Sequence, residues 1–229
     1  MTWIVTVSLA LHQGGPESPR PTQPAWTDDR PLTRFPQNLG RDAKSLARPD
    51  AMLTAAIGLA AAGLAHSADD NLSEWALESG NSKSYTPIGQ MIGNAYLQGG
   101  AAIATYVIGK VQQSPEVAHI GSDLIRAQAL NAVVTLTTKV AVDRERPDGG
   151  TRSFPSGHVS ATFASAAVLA EHYGWKVGVP AYAVSGFIGW TRVRDRQHWL
   201  SDVVFGSAVG IVAGKAVTGS HMRNWTIMR

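Results

Sequence analysis

The sequence predicts an all-α protein, a compact bundle of about six helices that follows an extended N-terminal tail. Two observations lead to this fold class. From Pro49 onward, long runs rich in Ala, Gly, Leu and Val alternate with short clusters of Pro, Gly or Asp, which is the pattern of helices separated by breaks. Only 16% of the 229 residues are charged and 44% are hydrophobic, which excludes an intrinsically disordered chain.

The predicted helices follow the uncharged runs, and each ends at a recognisable break. The breaks are the cluster over 69–71, Pro115, the turn over 147–150 and the charged segment 192–197. The helices are predicted at 51–65, 86–111, 117–142, 157–173, 176–192 and 198–217. Together they form one domain over residues 49–218.

The two ends of the chain differ from this domain in composition. Seven of the twelve prolines fall within residues 1–49. Residues 1–48 are therefore predicted to form a Pro-rich basic tail, in which 37–48 can add a short docking helix. The apolar start, Met1–Leu11, resembles a degenerate export or anchoring segment. Residues 219–229 are predicted to be a C-terminal tail.

Composition also limits the function classes. The absence of Cys excludes disulfides, thiolate metal sites and Cys nucleophiles, and a net charge of +3 gives no reason to expect nucleic-acid binding. A mean hydropathy of −0.05 is low for a bundle of membrane spans. Only residues 84–109 form an uncharged run long enough to cross a bilayer. The sequence leaves open whether the bundle is soluble or membrane-associated.

Two basic residues and a predicted helix start form a candidate anion site. Lys139 and Arg146 lie seven residues apart at the end of an apolar helix and are predicted to share one helical face. The segment 154–158 (FPSGH) then opens the next helix, with Ser156 as its N-cap. A helix that starts with Ser156 and Gly157 offers backbone N–H groups to an anion.

A second group of residues surrounds the start of the last helix. Arg192 is predicted to close the fifth helix, and His198 and Asp202 begin the sixth at a spacing of four residues. That spacing stacks imidazole and carboxylate one turn apart, so Asp202 can hold one ring nitrogen as N–H and leave the other as a lone pair. Alone, such a pair is more typical of a helix-surface hydrogen bond. Its occurrence together with His158 and three basic residues favours catalysis.

These residues suit the hydrolysis of a phosphate ester. That reaction needs cations around the phosphate oxygens, an in-line nucleophile and an acid for the leaving oxygen. His198 would attack phosphorus, Asp202 would stabilise its imidazolium, and His158 would protonate the leaving oxygen. No metal or other cofactor is needed, because the chain supplies the cations. The residues predicted to bind the phosphate are Lys139, Arg146, Ser156, Gly157 and Arg192.

Three motif blocks resemble the PAP2 (type 2 phosphatidic acid phosphatase) superfamily. They are Lys139 with six residues before Arg146-Pro147, then Pro155-Ser156-Gly157-His158, then Arg192 with five residues before His198 and three more before Asp202. The resemblance covers roughly residues 50–217 and implies a PAP2/haloperoxidase-like helical bundle with the same residue roles. One departure is Thr191-Arg192, where the family usually has Ser-Arg.

The resemblance implies a metal-independent phosphatase of the bacterial cell envelope with a periplasmic active site. Its substrate would be a lipid phosphate or a small soluble phosphoester, hydrolysed through a phosphohistidine, and vanadate is an expected inhibitor. Two alternatives stay open. One is a vanadate-dependent haloperoxidase on the same scaffold, and the other is a non-enzymatic membrane protein that binds an anion or a lipid.

Other polar and aromatic residues are predicted to play no part in catalysis. Asp69, Asp70 and Glu74 are expected to be acids near a helix start rather than a metal site. Trp175, Trp190 and Trp199 are expected in the core rather than in a membrane-interface belt. The histidines expected to be incidental are His12, His66, His119, His172 and His221.

Overall fold

The described part of the chain is helical. The computed structural model describes residues 32–79 and 86–219, and these contain no strand. After a 3-10 turn, Leu32–Arg34, the described residues form nine α-helices. They are α1 Phe35–Ser45, α2 Pro49–His66, α3 Asp69–Glu78, α4 Thr86–Ile92, α5 Ala95–Val111, α6 Pro115–Val142, α7 Gly157–Tyr173, α8 Trp175–Arg194 and α9 Leu200–Thr218. The all-α prediction is confirmed, whereas the predicted features of 1–31 and 220–229 lie outside the described residues.

The prediction of about six helices is wrong for this part of the chain, and local signals explain the extra ones. Pro36 lies in the first turn of α1, where its fixed φ suits a helix start. Asp69 and Asp70 begin α3 rather than break the chain, because acids stabilise a helix N-terminus. Asn94 separates α4 from α5, since its side chain caps the new helix by accepting a 2.8 Å hydrogen bond from the N–H of Tyr96.

Helices α7 and α9 pack backbone to backbone at the centre of the bundle, with α2, α6 and α8 around them. Gly206, Gly210 and Gly214, four residues apart on α9, all face α7 or the residue before it. A Cβ at Gly210 would lie 2.3 Å from the carbonyl oxygen of Ser160, and one at Gly214 would lie 2.6 Å from the Cβ of Ala167. Small residues at this spacing let two helices approach closely, in lipid or in water.

The bundle has two distinct ends because α6, α7 and α8 alternate in direction. α6 leads to the loop over 143–156 and α7 returns from it, while α8 leads to the loop over 195–199. We call the end with these two loops the loop end. The opposite end, here the tail end, carries α1, the loop over 112–114 and the turn at Gly174. Residues far apart in sequence therefore meet at one end or the other.

The outer surface of the bundle is apolar, whereas its interior is built largely from small and polar side chains. On α2, Met52, Leu53, Ile57 and Leu64 are each at least 59% exposed. Large apolar side chains on α5, α6 and α8 are exposed as well, and most of the fully buried apolar residues are alanines. An apolar exterior of this extent marks a surface for lipid or for another protein.

By length and hydropathy, few of the described helices could cross a membrane. α9 is long and apolar enough to cross a membrane, although 61% of its most apolar window is buried in the bundle. α2 and α3 pass the same test only together, with a bend of 58° between them. Trp175 is 75% exposed and Trp190 is 41% exposed. The prediction that these two tryptophans belong to the core is therefore wrong.

Candidate active site

His198 and Asp202 meet at the loop end, next to the start of α9. His198 lies in the loop rather than in the helix, because α9 begins only at Leu200. The predicted pair still forms: the Nδ1 of His198 lies 3.5 Å from the Oδ2 of Asp202, and both residues are buried. The same Oδ2 accepts a 3.0 Å hydrogen bond from the N–H of Trp199. Asp202 therefore faces Nδ1, which leaves Nε2 as the imidazole nitrogen for chemistry.

Two side chains that sequence reasoning missed hold Asp202 in place. The Ser153 hydroxyl donates to Oδ2, and the Arg144 guanidinium donates to Oδ1 at 2.9 Å through Nη1. Ser153 is completely buried and also lies 3.5 Å from the Nδ1 of His198. Arg144 stands two residues before the predicted Arg146, and nothing in the spacing says which of the two faces Asp202.

Asp69 holds Arg144, and with it Asp202, in place through a further set of hydrogen bonds. The second Nη of Arg144 donates to the Oδ2 of Asp69 at 2.9 Å, and Ser201 donates to the same carboxylate through both its hydroxyl and its N–H. The Nδ1 of His66 lies 2.9 Å from the same Oδ2. Asp69 does start a helix, as a first-turn acid should, but it is 2% exposed and links α3 to Arg144. His66, expected to be incidental, is part of this network.

The start of α7 presents two buried polar atoms to the site. Ser156 occupies the predicted N-cap position but makes no side-chain capping bond. Among the described residues, neither the Oγ of Ser156 nor the Nε2 of His158 has a hydrogen-bond partner. The N–H of Ser156 donates to the carbonyl of Asp202 at 3.0 Å, which joins this helix start to α9. Buried polar atoms without partners are costly, so this pair indicates a place for a ligand.

Three basic side chains lie near His158. Lys139 donates to the carbonyls of Arg152 and Ser153 at 2.6 and 3.2 Å. Arg146 donates to the side chain of Gln197 at 3.1 Å. The charges of Lys139, Arg146 and Arg192 all act on the ring of His158, so the fold gathers all three at one place.

Lys139 and Arg146 do not share a helical face, and that part of the prediction is wrong. α6 ends at Val142, and Asp143 turns the chain with a φ of 42°. Arg146 therefore lies in the following loop and reaches the site from there. The left-handed residue at the helix end supplies the turn that the sequence pattern assigned to Pro147.

The electrostatics of the site favour a neutral His198. Burial lowers the pKa of His198, although its hydrogen bond to Asp202 opposes the shift. His158, in the first turn of α7, lies near the positive charges of Lys139, Arg146 and Arg192. A phosphate dianion among these cations would favour the protonated form of His158. Protonation of His158 is therefore coupled to the binding of an anion.

The PAP2 superfamily model matches residues 121–226, a stretch that contains every residue of the predicted site. Residues 121–226 therefore resemble the PAP2 superfamily.

Known PAP2 and lipid phosphatases resemble parts of the chain. The lipid A 1-phosphatase of Porphyromonas gingivalis is 41% identical over 81 residues, which are 34% of this chain and 18% of that protein. The lipid A 4'-phosphatase of Helicobacter pylori is 34% identical over 58 residues, 25% of this chain and 29% of that protein. The chain thus matches less than a third of the length of either relative.

A solved structure resembles most of this chain. It is a transmembrane PAP2 type phosphatidylglycerolphosphate phosphatase from Bacillus subtilis, with a TM-score of 0.56 and 17% identity. The likeness covers 86% of this chain and 97% of that one. At this level of identity, the likeness establishes the shared helical fold.

The departure from the usual PAP2 pattern, Thr191, keeps the hydroxyl in place. Thr191 is 1% exposed, and its hydroxyl donates to the carbonyl of Ile188 at 2.7 Å. The same oxygen lies 3.4 Å from the Nε of Arg192, from which it accepts a weak hydrogen bond. The Nη2 of Arg192 also donates to Asp195 at 3.0 Å. Thr191 therefore contacts Arg192 as a serine hydroxyl could.

Helix α4 covers one side of the candidate site. A Cβ at Gly89 would lie 2.1 Å from the hydroxyl of Thr191, and a Cβ at Gly93 would lie 2.9 Å from both Cβ and Cδ2 of His158. These two glycines let α4 lie directly on the site. No pattern in the sequence predicted this contact, because the glycines stand some 65 to 100 residues before the residues that they touch.

Proposed function

We propose that this protein is a metal-independent lipid phosphate phosphatase that works through a phosphohistidine. The observation that carries the proposal is a buried His198 oriented by Asp202, near two buried polar atoms that have no partner among the described residues, Ser156 Oγ and His158 Nε2. Three basic side chains lie near His158. This arrangement fits a tetrahedral dianion with a nucleophile on one side and an acid on the other.

In the first step, the lone pair on Nε2 of His198 attacks phosphorus while the bond between phosphorus and the ester oxygen breaks. His158 gives its proton to the leaving oxygen, and Asp202 stabilises the positive charge that develops on His198. In the second step, neutral His158 takes a proton from water, whose oxygen attacks phosphorus. The bond between phosphorus and Nε2 then breaks, and inorganic phosphate leaves.

The substrate class follows from the surface of the molecule. The apolar exterior of α2, α5, α6 and α8 is suited to a bilayer, so we infer that the bundle is embedded in a membrane with the loop end at its surface. An active site at that level meets the phosphorylated headgroups of lipids. Both relatives named above are phosphatases of a lipid, lipid A.

The basic side chains of the tail end favour an orientation with the site outside the cytoplasm. Among the described residues, the tail end carries seven basic side chains that are exposed or half-buried, against three exposed acids, whereas the loop end carries six, of which Lys139, Arg144 and Arg146 belong to the proposed site. Positively charged ends of membrane bundles stay in the cytoplasm. The basic residues are Arg34, Arg41, Lys44, Arg48, Lys110, Lys176 and Lys215, and the acids are Asp50, Glu116 and Glu171.

The test is phosphate release by the purified protein in detergent with EDTA present. Phosphatidic acid, lipid A and p-nitrophenyl phosphate are compared. We expect turnover of a lipid in preference to the small ester, inhibition by vanadate, and a loss of at least about a thousandfold in His198→Ala with phosphate binding retained.

Two outcomes would contradict the proposal. Loss of the rate in EDTA would indicate a catalytic metal. No phosphate release from any of the three substrates, or release that His198→Ala leaves intact, would exclude the phosphohistidine mechanism for them.

A further inference from the structure

A second cluster of ionisable side chains lies at the tail end, away from the phosphate site. His119 and Asp123 stand in the first turns of α6, and His172 stands in the last turn of α7. Asp123 is sixteen residues from Lys139 along α6, which places the cluster about 24 Å from the phosphate site at 1.5 Å per residue. No spacing in the sequence connects His119 with His172, so their convergence is a product of the fold.

One ring nitrogen of each histidine lies close to the same carboxylate oxygen, the Oδ2 of Asp123. The Nε2 of His172 lies 3.0 Å from the Oδ2 of Asp123, and the Nε2 of His119 lies 3.5 Å from the same atom. One nitrogen or oxygen atom from each residue lies within 4.8 Å of the other two. The three side chains are at most 4% exposed. Two imidazole nitrogens and one carboxylate oxygen in a buried setting are a donor set that Zn²⁺ takes, with a fourth position for water.

The other oxygen of Asp123 is held by a buried ion pair. Arg126 donates to the Oδ1 of Asp123 through one Nη and to the Oδ2 of Asp42 on α1 through the other. All three residues are at most 1% exposed. Metal-binding carboxylates are commonly oriented in this way by a neighbour on the second oxygen. Arg126 thus turns the Oδ2 of Asp123 toward the two histidines.

We propose that His119, Asp123 and His172 form a structural Zn²⁺ site. The ion would connect the start of α6 to the end of α7 and, through Arg126 and Asp42, would strengthen the contact with α1. Catalysis at the loop end would remain independent of metal, so EDTA would lower the thermal stability of the protein without removing its activity below the unfolding temperature.

The test measures zinc retained by the tag-free, full-length protein in detergent. The protein is stripped with EDTA, incubated with ZnCl₂, desalted and analysed for metal, together with its unfolding temperature. We expect about one Zn²⁺ per chain, an unfolding temperature several degrees higher with zinc, and at least a tenfold loss of retained zinc in His119→Gln and His172→Gln. His66→Gln, a histidine next to Asp69 at the loop end, is the matched control and should retain zinc fully.

A spectroscopic measurement on the unmodified protein keeps the proposal testable if the variants fail to fold. Co²⁺ added to the stripped protein should give a visible absorption band that stoichiometric Zn²⁺ abolishes. Three results would overturn the proposal: no retained zinc and no cobalt band, zinc retention unchanged in both His→Gln variants, or an equal loss in His66→Gln. The first of these would mean a hydrogen-bonded cluster without metal.

Discussion

At the scale of single residues, the site depends on how Asp202 is held as much as on the histidines. One carboxylate oxygen meets Ser153, the N–H of Trp199 and, at longer range, His198, while the other meets Arg144. Each donor lowers the basicity of the carboxylate and restricts its orientation. Ser153 and Arg144 are therefore positioning residues that act on His198 through Asp202.

Removing the hydroxyl in Ser153→Ala should lower kcat about tenfold with little change in KM, because a hydrogen bond to a charged group is lost. Asp202, with one donor fewer, would interact more strongly with the imidazolium and raise the pKa of His198. The acid limb of the rate profile should therefore move to higher pH. Ser207→Ala, a control on α9 whose hydroxyl bonds only within its helix, should change neither quantity. An unshifted acid limb in Ser153→Ala would limit Ser153 to a structural role.

The activity should have a bell-shaped dependence on pH with an acidic to neutral optimum. His198 must be neutral to attack, and because burial lowers its pKa, the acid limb of kcat/KM should lie below the ordinary histidine value of about 6.5. His158 must be protonated in the complex, so kcat should fall at alkaline pH. Steady-state rates between about pH 4 and 9 measure both limbs. A rate that rises steadily into the alkaline range would contradict these roles.

At the scale of elements, the position of α4 against the candidate site depends on the absence of two side chains. Gly89, on α4, and Gly93, directly after its last residue, lie against Thr191 and His158 respectively. Any Cβ there must displace either α4 or the residue that it meets. The shape of the site on this side is thus set by two glycines that take no part in the chemistry.

Gly93→Ala should reduce activity at least tenfold, because the new methyl group overlaps His158 and forces α4 or the ring to move. We expect a loss of stability of about 1–3 kcal/mol, as for other overpacked sites. The matched control is Gly100→Ala on α5, where a Cβ meets nothing within 4 Å. That variant should keep full activity and gain stability, since Ala favours a helix over Gly. Phosphate release and thermal unfolding measure the two effects.

At the scale of the whole molecule, many large apolar side chains lie outside, whereas the interior is built largely from small and polar ones. Low mean hydropathy hides this distribution, because the buried polar residues offset the exposed apolar ones in the average. The close packing of α7 on α9 through glycines needs no bulky core. Helices packed in this way can be stable in lipid, where burial of large side chains gives little driving force.

The native protein should therefore stay with the membrane fraction after washes with high salt and alkaline carbonate, and detergent should release it. The apolar exterior of α2, α5, α6 and α8 gives this expectation, because salt weakens only electrostatic attachment. Fractionation followed by immunoblotting measures it. Release by salt alone would mean that the apolar surface faces another protein instead.

Local patterns in the sequence were enough to predict the helical class and to nominate the residues of the candidate site. Helix periodicity and breaks are local, and three motif blocks with internal spacing point to Lys139, His158 and His198 without a structure. Tertiary structure decided what depends on contacts between distant residues. Arg144 and Ser153 reach Asp202, two glycines bring α4 onto the candidate site, and Asp123 near the start of α6 meets His172 near the end of α7. None of these contacts has a sequence spacing that a local rule can recognise, because each arises from the packing of whole helices against one another.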